Sequence, residues 1–364
     1  MVTPMKAVRS MDLGLVLPAL VLTLLGGLTM VSAAATLNPA LAVRHGWWIA
    51  LGLAASFGVS RLDYRRWSDL AWPAYVLALA ALVLVLAVGA VRLGATRWLS
   101  LFGVSLQPSE PMKLTTVWLL ARYLAGQPTP LPTRVLVTSL ALAGVPAFLV
   151  FIQPDLGSAS IFCVMWLGMV WAAGMSRRHL AWLAGGLTVL LPLGWHVLKD
   201  YQRDRLMVFL NPQIDPLGAG YTIIQSVIAI GSGRLWGRGW LSGTQNQLSF
   251  LPERHSDFIF SVIGEEWGFL GCLAVAGLFA LLLTRIIHLA QDTSEPYGRL
   301  LAVGVFSWLA YQACVNMGMV MGLFPVVGIP LPLMSYGGTA MGSAWMALGF
   351  LQSVRRRNFA PRNF

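Results

Sequence analysis

The sequence predicts an all-α polytopic integral membrane protein, with ten transmembrane helices and one large extracytoplasmic loop between helices 7 and 8. Of its 364 residues, 57% are hydrophobic and only 11% are charged, whereas soluble domains carry roughly 25% charged residues. Ten apolar stretches are long enough, or nearly so, to cross a hydrocarbon core of ~30 Å. Basic residues cluster between these stretches, which is the usual signal for membrane topology.

The ten stretches belong to one membrane domain, which we assign to residues 1–364. The first stretch is longer than the apolar core of a typical signal peptide, so we expect it to be retained as a helix. The predicted limits are 13–35, 45–60, 70–91, 108–125, 134–152, 156–175, 179–198, 258–284, 300–321 and 338–353.

The distribution of Lys and Arg predicts the orientation. The formal net charge is +11, but the basic residues form short clusters between apolar stretches, which argues against nucleic-acid binding. Most of them fall in one alternate set of loops, whereas the other short loops carry only Arg44, Arg92 and Arg97. Both termini are therefore predicted to be cytoplasmic.

The predicted outer loop, residues 199–257, is far longer than the other connections, and loops of this length are usually functional or disordered. Its apolar part, 220–233, predicts a helix that lies in the interface or re-enters the membrane. The alternating charges before it fit either a solvated, salt-bridged helix or a surface that contacts lipid phosphates. They are Lys199, Asp200, Arg203, Asp204 and Arg205.

The end of this loop concentrates ionisable side chains at the membrane, where such groups are candidates for function. The cluster comprises Glu253, Arg254, His255 and Asp257. Asp257 is either the catalytic candidate or an N-cap of the next helix. Glu265 and Glu266 follow, and at ~100° per residue they cannot both share the face of Asp257. At least one of them must be protonated or paired within the bundle.

Polar side chains also interrupt other apolar regions. Glu110 and Lys113 are three residues apart on one helical face, so they form either an ion pair or a site for an anionic group. Asp155 either caps the sixth helix or lines an outer polar cavity. Arg97, on the same side, either anchors the chain at the interface beside Trp98 or belongs to that cavity.

The segment from Asn316 to Thr339 is uncharged and rich in Gly and Pro. Non-helical chain at membrane depth is tolerated only where it is buried in protein or lines a cavity. The pattern is Asn, five residues, Gly-Leu-x-Pro, then Gly-Ile-Pro-Leu-Pro and Ser-Tyr-Gly-Gly-Thr. It resembles the signature of the shape, elongation, division and sporulation (SEDS) family.

Three more blocks are similar to the same family, so the resemblance covers essentially the whole chain. They are Gln107–Lys113, Gln153–Gly157 and Gly243–Phe260. The sequence departs from the family pattern at Thr222, Arg234 and Ser256, none of which is an acidic position. Short tails favour an elongation-type member over a division-type member.

The resemblance implies a peptidoglycan glycosyltransferase that polymerises lipid II into glycan strands during cell elongation and releases undecaprenyl diphosphate. Asp257 matches the essential acid of the family and would be the general base. Mg²⁺ or Mn²⁺ is a possible cofactor, with Asp155 or Glu110 as candidate ligand. The residues expected to contact the sugar or the diphosphate are Arg97, Glu110, Lys113, Asp155, Arg205, Gln245, Glu253, His255 and Ser335.

Two other functions fit the same architecture. A transporter that flips lipid II would also show intramembrane carboxylates and helices broken by Gly and Pro, and a cell-wall scaffold would need no catalysis. The family further implies lipid II and nascent glycan-lipid as substrates and a class B penicillin-binding protein as activating partner. The expected location is the bacterial inner membrane, with the active site on the extracytoplasmic side.

Overall fold

The computed structural model describes residues 11–92, 95–101, 104–197 and 200–358. Within these residues the chain forms thirteen α-helices, one 3₁₀ turn at Pro212–Ile214 and a three-stranded sheet. The helices are α1 (Leu13–Ala34), α2 (Ala40–Arg61), α3 (Tyr64–Val88), α4 (Ser109–Ala125), α5 (Thr133–Ile152), α6 (Leu156–Ala172), α7 (Arg177–Val197), α8 (Asp200–Leu210), α9 (Ala219–Ser232), α10 (Thr244–Gln247), α11 (Ile259–Asp292), α12 (Pro296–Val320) and α13 (Gly338–Asn358).

The prediction of a helical, polytopic membrane protein is confirmed. In the described part of the chain, five helices are long and apolar enough to span a membrane, namely α1, α3, α5, α11 and α12. The shorter helix α6 and residues 220–232 of α9 are also apolar. A helix lies over each of the ten predicted stretches, but the number of ten crossings and the placement of the large loop stay predictions.

The small sheet between α3 and α4 was not predicted. Strands β1 (Ala90–Arg92), β2 (Ala95–Leu101) and β3 (Val104–Leu106) pair antiparallel in that order. Its register joins Ala90 to Trp98 and Leu99 to Leu106. The sheet carries Arg97 back towards the turn between α5 and α6, where the Arg97 guanidinium donates to the Gln153 carbonyl oxygen at 3.2 Å.

Helix α11 is broken at Gly268, whose φ of 67° and ψ of −160° are not helical. A break inside an apolar helix frees backbone groups that must find partners away from water. Residues 234–239, which follow α9, supply these partners through four hydrogen bonds. We call this segment, which bridges the break, the splint. The four bonds are Arg238 N to Glu265 O (3.0 Å), Gly239 N to Glu266 O (3.0 Å), Phe269 N to Arg234 O (2.8 Å) and Leu270 N to Leu235 O (3.2 Å).

The two glutamates just before the break are both buried, and each accepts hydrogen bonds from neutral donors. Glu265 accepts hydrogen bonds from the backbone N–H groups of Gln245 (2.8 Å) and Asn246 (3.1 Å), in the first turn of α10. Glu266 accepts from the Ser32 hydroxyl and from the side-chain amide of Asn246. The pairing within the bundle, one of the two predicted alternatives, thus holds the outer loop on α1 and α11.

Candidate functional site

Asp257 lies where the loop enters α11, and its main chain is held on both sides. Its N–H donates to the Glu253 carbonyl oxygen at 3.1 Å, and its own carbonyl oxygen accepts from Asn316 Nδ2 at 2.8 Å. Helix α11 begins at Ile259 with Phe258 at the N-cap and no side-chain cap. The interpretation of Asp257 as a helix cap is therefore wrong. Its half-buried carboxylate accepts no hydrogen bond from the described residues.

The electrostatic surroundings of Asp257 make it suitable as a base. Burial raises the pKa of its carboxyl to about 7, and the negative charges of Glu253 and Asp155 raise it further, while Arg97 and Arg205 oppose the shift. Four predicted site residues thus act on this one carboxylate. A group whose pKa lies near the working pH can both take and give a proton.

Asp155 lies in the turn between α5 and α6, and Arg97 contacts this turn. Asp155 caps α6 by accepting from Ser158 N at 3.0 Å, so the capping alternative is confirmed. Its other oxygen lies 3.4 Å from Gln107 Nε2 and 3.7 Å from Arg97 Nη1. Arg97 is thereby tied to the protein rather than left as an interfacial anchor, and its side chain stays 23% exposed.

Glu110 and Lys113 form the ion pair that their spacing predicted. Lys113 Nζ lies 2.9 and 2.8 Å from the two Glu110 oxygens and 3.2 Å from Gln312 Oε1. Both side chains are fully buried. The adjoining cavity, which Ser335 also lines, measures about 10 Å³, roughly the room of one water. Lys113 is therefore enclosed by protein, and its contact with a diphosphate stays a prediction.

The remaining predicted residues lie in the outer loop, except Ser335, which lies between α12 and α13. Arg205, on α8, donates to the Val326 carbonyl oxygen at 3.3 Å. The His255 ring lies 5.7 Å from the Tyr336 ring and 4.0 Å from Glu253, and burial lowers the pKa of His255 below its ordinary value. Gln245 sits in α10, and the Ser335 hydroxyl accepts from Leu331 N at 2.8 Å.

A divalent cation does not fit the carboxylates predicted for it. Among the described residues there is no group of three or more His, Cys, Asp or Glu side chains that could hold a metal. Asp155 is surrounded by N–H donors and Glu110 by the Lys113 ammonium, whereas Mg²⁺ needs oxygen ligands. The cation stays a prediction.

Arg254 was in the predicted cluster, but its role was missed. It is 1% exposed, and its guanidinium donates to the Ala33 carbonyl oxygen (3.1 Å) and the Thr36 hydroxyl (2.6 Å). A cation at the C-terminal end of α1 is favoured by the helix dipole. The contact joins the loop before Asp257 to a helix more than 200 residues away, which no local pattern indicates.

We expect Arg254→Gln to destabilise the folded protein by about 1.5–3 kcal/mol, the usual worth of a hydrogen bond to a charged group. Thermal unfolding in detergent would measure the change. Arg254→Lys is the matched control for charge, and it is expected to recover little, because an ammonium cannot reproduce the forked contact. An unchanged unfolding midpoint in Arg254→Gln would contradict the anchoring role.

The fold and the site together define a polytopic membrane protein with a carboxylate of raised pKa at the entry to a broken helix. The family model described as "Cell cycle protein", for FtsW, RodA and SpoVE, matches residues 9–359. The chain belongs to this family, the shape, elongation, division and sporulation (SEDS) family.

Two relatives that are named for an activity support this assignment. The chain is 41% identical to the peptidoglycan glycosyltransferase MrdB of Escherichia coli K12 over 307 residues, 84% of this chain and 83% of that protein. It is 32% identical to the peptidoglycan glycosyltransferase RodA of Treponema pallidum, covering 85% of this chain and 88% of that protein. These similarities confirm that the chain is an enzyme of the glycosyltransferase class.

Solved structures share the fold over nearly the whole chain. The crystal structure of RodA from Thermus thermophilus matches with a TM-score of 0.72 and 30% identity, covering 96% of this chain and 98% of that one. A chain in a structure described as "Structural coordination of polymerization and crosslinking by a peptidoglycan synthase complex" matches with a TM-score of 0.83. Its identity is 34%, with 96% and 98% coverage.

Proposed function

We propose that the chain polymerises lipid II into glycan strands, with Asp257 as the general base. The observation that carries the proposal is the state of the Asp257 carboxylate. It is half-buried, receives no hydrogen bond from the described residues, and has a pKa raised to about 7. A purely structural carboxylate in this position would be expected to accept hydrogen bonds from the chain.

In the proposed step, Asp257 accepts the proton of the 4-hydroxyl of an incoming lipid II. The hydroxyl oxygen bonds to the anomeric carbon of the growing strand, and the bond from that carbon to the diphosphate breaks. General base catalysis contributes about 10²–10⁴ in rate. Diphosphate leaves readily once its charge is neutralised, and Arg97 and Arg205 are cations whose charges act on Asp257.

Several finer assignments belong to the same proposal. The enzyme acts in cell elongation at the bacterial inner membrane, with cytoplasmic termini and an extracytoplasmic site. A class B penicillin-binding protein is its activating partner, and the similarity to a chain of a peptidoglycan synthase complex supports this. Mg²⁺ or Mn²⁺ stays a proposed cofactor, although Asp155 and Glu110 are engaged by N–H and ammonium donors and do not suit it as ligands. Loss of activity on adding a chelator, restored by either ion, would test that assignment.

Polymerisation by the purified protein in detergent tests the function directly. A detergent micelle has no two sides, so a flippase yields no product there, whereas a polymerase converts labelled lipid II into glycan strands. The assay is run with and without the penicillin-binding protein partner, whose transpeptidase is blocked. Absence of polymer in both cases, from protein that is folded, would favour the lipid II flippase.

The pH dependence of polymerisation is expected to reveal the raised pKa. A base must be deprotonated, so kcat/KM rises with pH and levels off above a midpoint near 7, since kcat/KM reports groups of the free enzyme. Glu253→Gln removes a neighbouring negative charge and moves the midpoint down. Arg205→Gln removes a positive charge and moves it up. Shifts of the same sign in both variants would contradict the assignment.

A further inference from the structure

Asn316 is a fully buried amide on α12 that connects Asp257 to a non-helical segment of the chain. Its Nδ2 donates two hydrogen bonds, to the Asp257 carbonyl oxygen (2.8 Å) and to the Ile329 carbonyl oxygen (2.7 Å). One –NH₂ group carries two protons, so both are used. These bonds also fix which way the amide points, because the reversed amide would place an oxygen against two carbonyl oxygens.

The second of these contacts lies directly beneath the acid. Gly328 precedes Ile329 and has a φ of +69°, and a Cβ added there would lie 3.3 Å from Asp257 Oδ2. The Asp257 carboxylate therefore lies close enough to Gly328 that a side chain there would crowd it. By holding Asp257 and Ile329 with one nitrogen, Asn316 sets the distance between the acid and the backbone at Gly328.

A second side-chain amide of α12, that of Gln312, also holds the non-helical segment after Gly328. Gln312 lies one turn earlier, and its Nε2 donates to the Pro330 carbonyl oxygen at 2.7 Å. Its Oε1 accepts from Trp308 Nε1 at 2.7 Å and from Lys113 Nζ at 3.2 Å. The Glu110–Lys113 ion pair thus orients Gln312, and Gln312 holds the residue next to the one that Asn316 holds.

We propose that Asn316 is a positioning residue, which aims the Asp257 carboxylate at the acceptor hydroxyl by fixing the main chain of Asp257 over Gly328. The inference rests on the proposed function, since it gives Asn316 its role through the base. Asn316 does not touch the substrate. A displacement of about 1 Å at a reacting group can cost 10²-fold in rate. We expect a loss of this size when the nitrogen that joins Asp257 to Ile329 is removed.

The test is steady-state polymerisation of lipid II by purified Asn316→Ala, compared with Ser307→Ala. Ser307 is another buried polar residue on α12, and its hydroxyl donates only to Val303 O of the same helix. We expect Asn316→Ala to lower kcat by about 10²-fold with KM changed little. The midpoint of its pH profile is expected to fall towards the ordinary value for Asp, because a released carboxylate is better hydrated. Ser307→Ala is expected to change neither.

A double mutant separates positioning from general structural damage. If Asn316 acts only through the base, Asp257→Asn combined with Asn316→Ala is no slower than Asp257→Asn alone, because residues acting as a unit are not additive. An additive loss, or an unshifted pH midpoint in Asn316→Ala, overturns the inference. If Asn316→Ala does not fold, Asn316→Ser, which keeps one short donor, gives the same comparison.

The outcome also distinguishes this inference from the proposed function. If Asp257→Asn keeps full activity, Asp257 is not the base, and Asn316 cannot act through it. If Asp257→Asn is inactive but Asn316→Ala is fully active, Asp257 is still supported as the base. Only the positioning role of Asn316 is then contradicted.

Discussion

Replacing Asp257 with asparagine is expected to lower kcat for lipid II polymerisation by about 10²–10⁴, the usual contribution of a general base. The substitution keeps the size of the side chain and removes its ability to accept a proton. Folding is expected to be preserved, because the structure holds Asp257 through its main chain and not through its carboxylate. The rate is measured on purified protein from the length and amount of glycan formed.

The matched control for this change is Asp204→Asn, which removes an exposed carboxylate from α8 of the same outer loop. We expect it to keep a rate within about twofold of the unmodified protein, since surface substitutions away from special features have small effects. Equal rates for Asp257→Asn and Asp204→Asn would exclude Asp257 as the base. The protein would still be a polymerase, but the proton of the acceptor hydroxyl would have to leave by another route.

The sequence predicted the helices well because the membrane imposes a simple rule on them. A segment that crosses hydrocarbon must be apolar and must satisfy its own backbone, so long apolar stretches become helices. The sheet formed by β1, β2 and β3 obeys no such rule. Its strands β1 and β3 have only three residues each, too few to show the alternation that identifies a strand.

The site was predicted at the level of residue types and less well at the level of contacts. Asp257 was identifiable because a carboxylate next to an apolar stretch is costly. Its alternative role as a helix cap failed because α11 begins two residues later, at Ile259. The roles of Arg254 and Asn316 depend on partners 221 and 59 residues away. Such contacts arise from the packing of helices against one another, which cannot be read from a single sequence.

The break in α11 shows why Gly268 is required, and Gly268→Ala is expected to be among the most damaging single substitutions in the chain. Its φ of 67° with ψ of −160° lies in a region open essentially only to Gly. A Cβ there would lie 2.3 Å from Gly237 N and 2.7 Å from Leu235 O. Both atoms belong to the splint that pairs the freed backbone groups, so the side chain and the splint cannot coexist.

We expect Gly268→Ala to cost about 3 kcal/mol or more, from backbone strain of ~1–3 kcal/mol and overpacking of ~1–3 kcal/mol. The protein would unfold at a markedly lower temperature in detergent, and polymerisation would fall because the same splint continues into the loop that Glu265 holds. Gly277→Ala is the control, since it lies on the same helix and nothing stands within 4 Å of its added Cβ. If both variants unfold at the same temperature as the unmodified protein, α11 does not need the break, and the loop over it is not a splint.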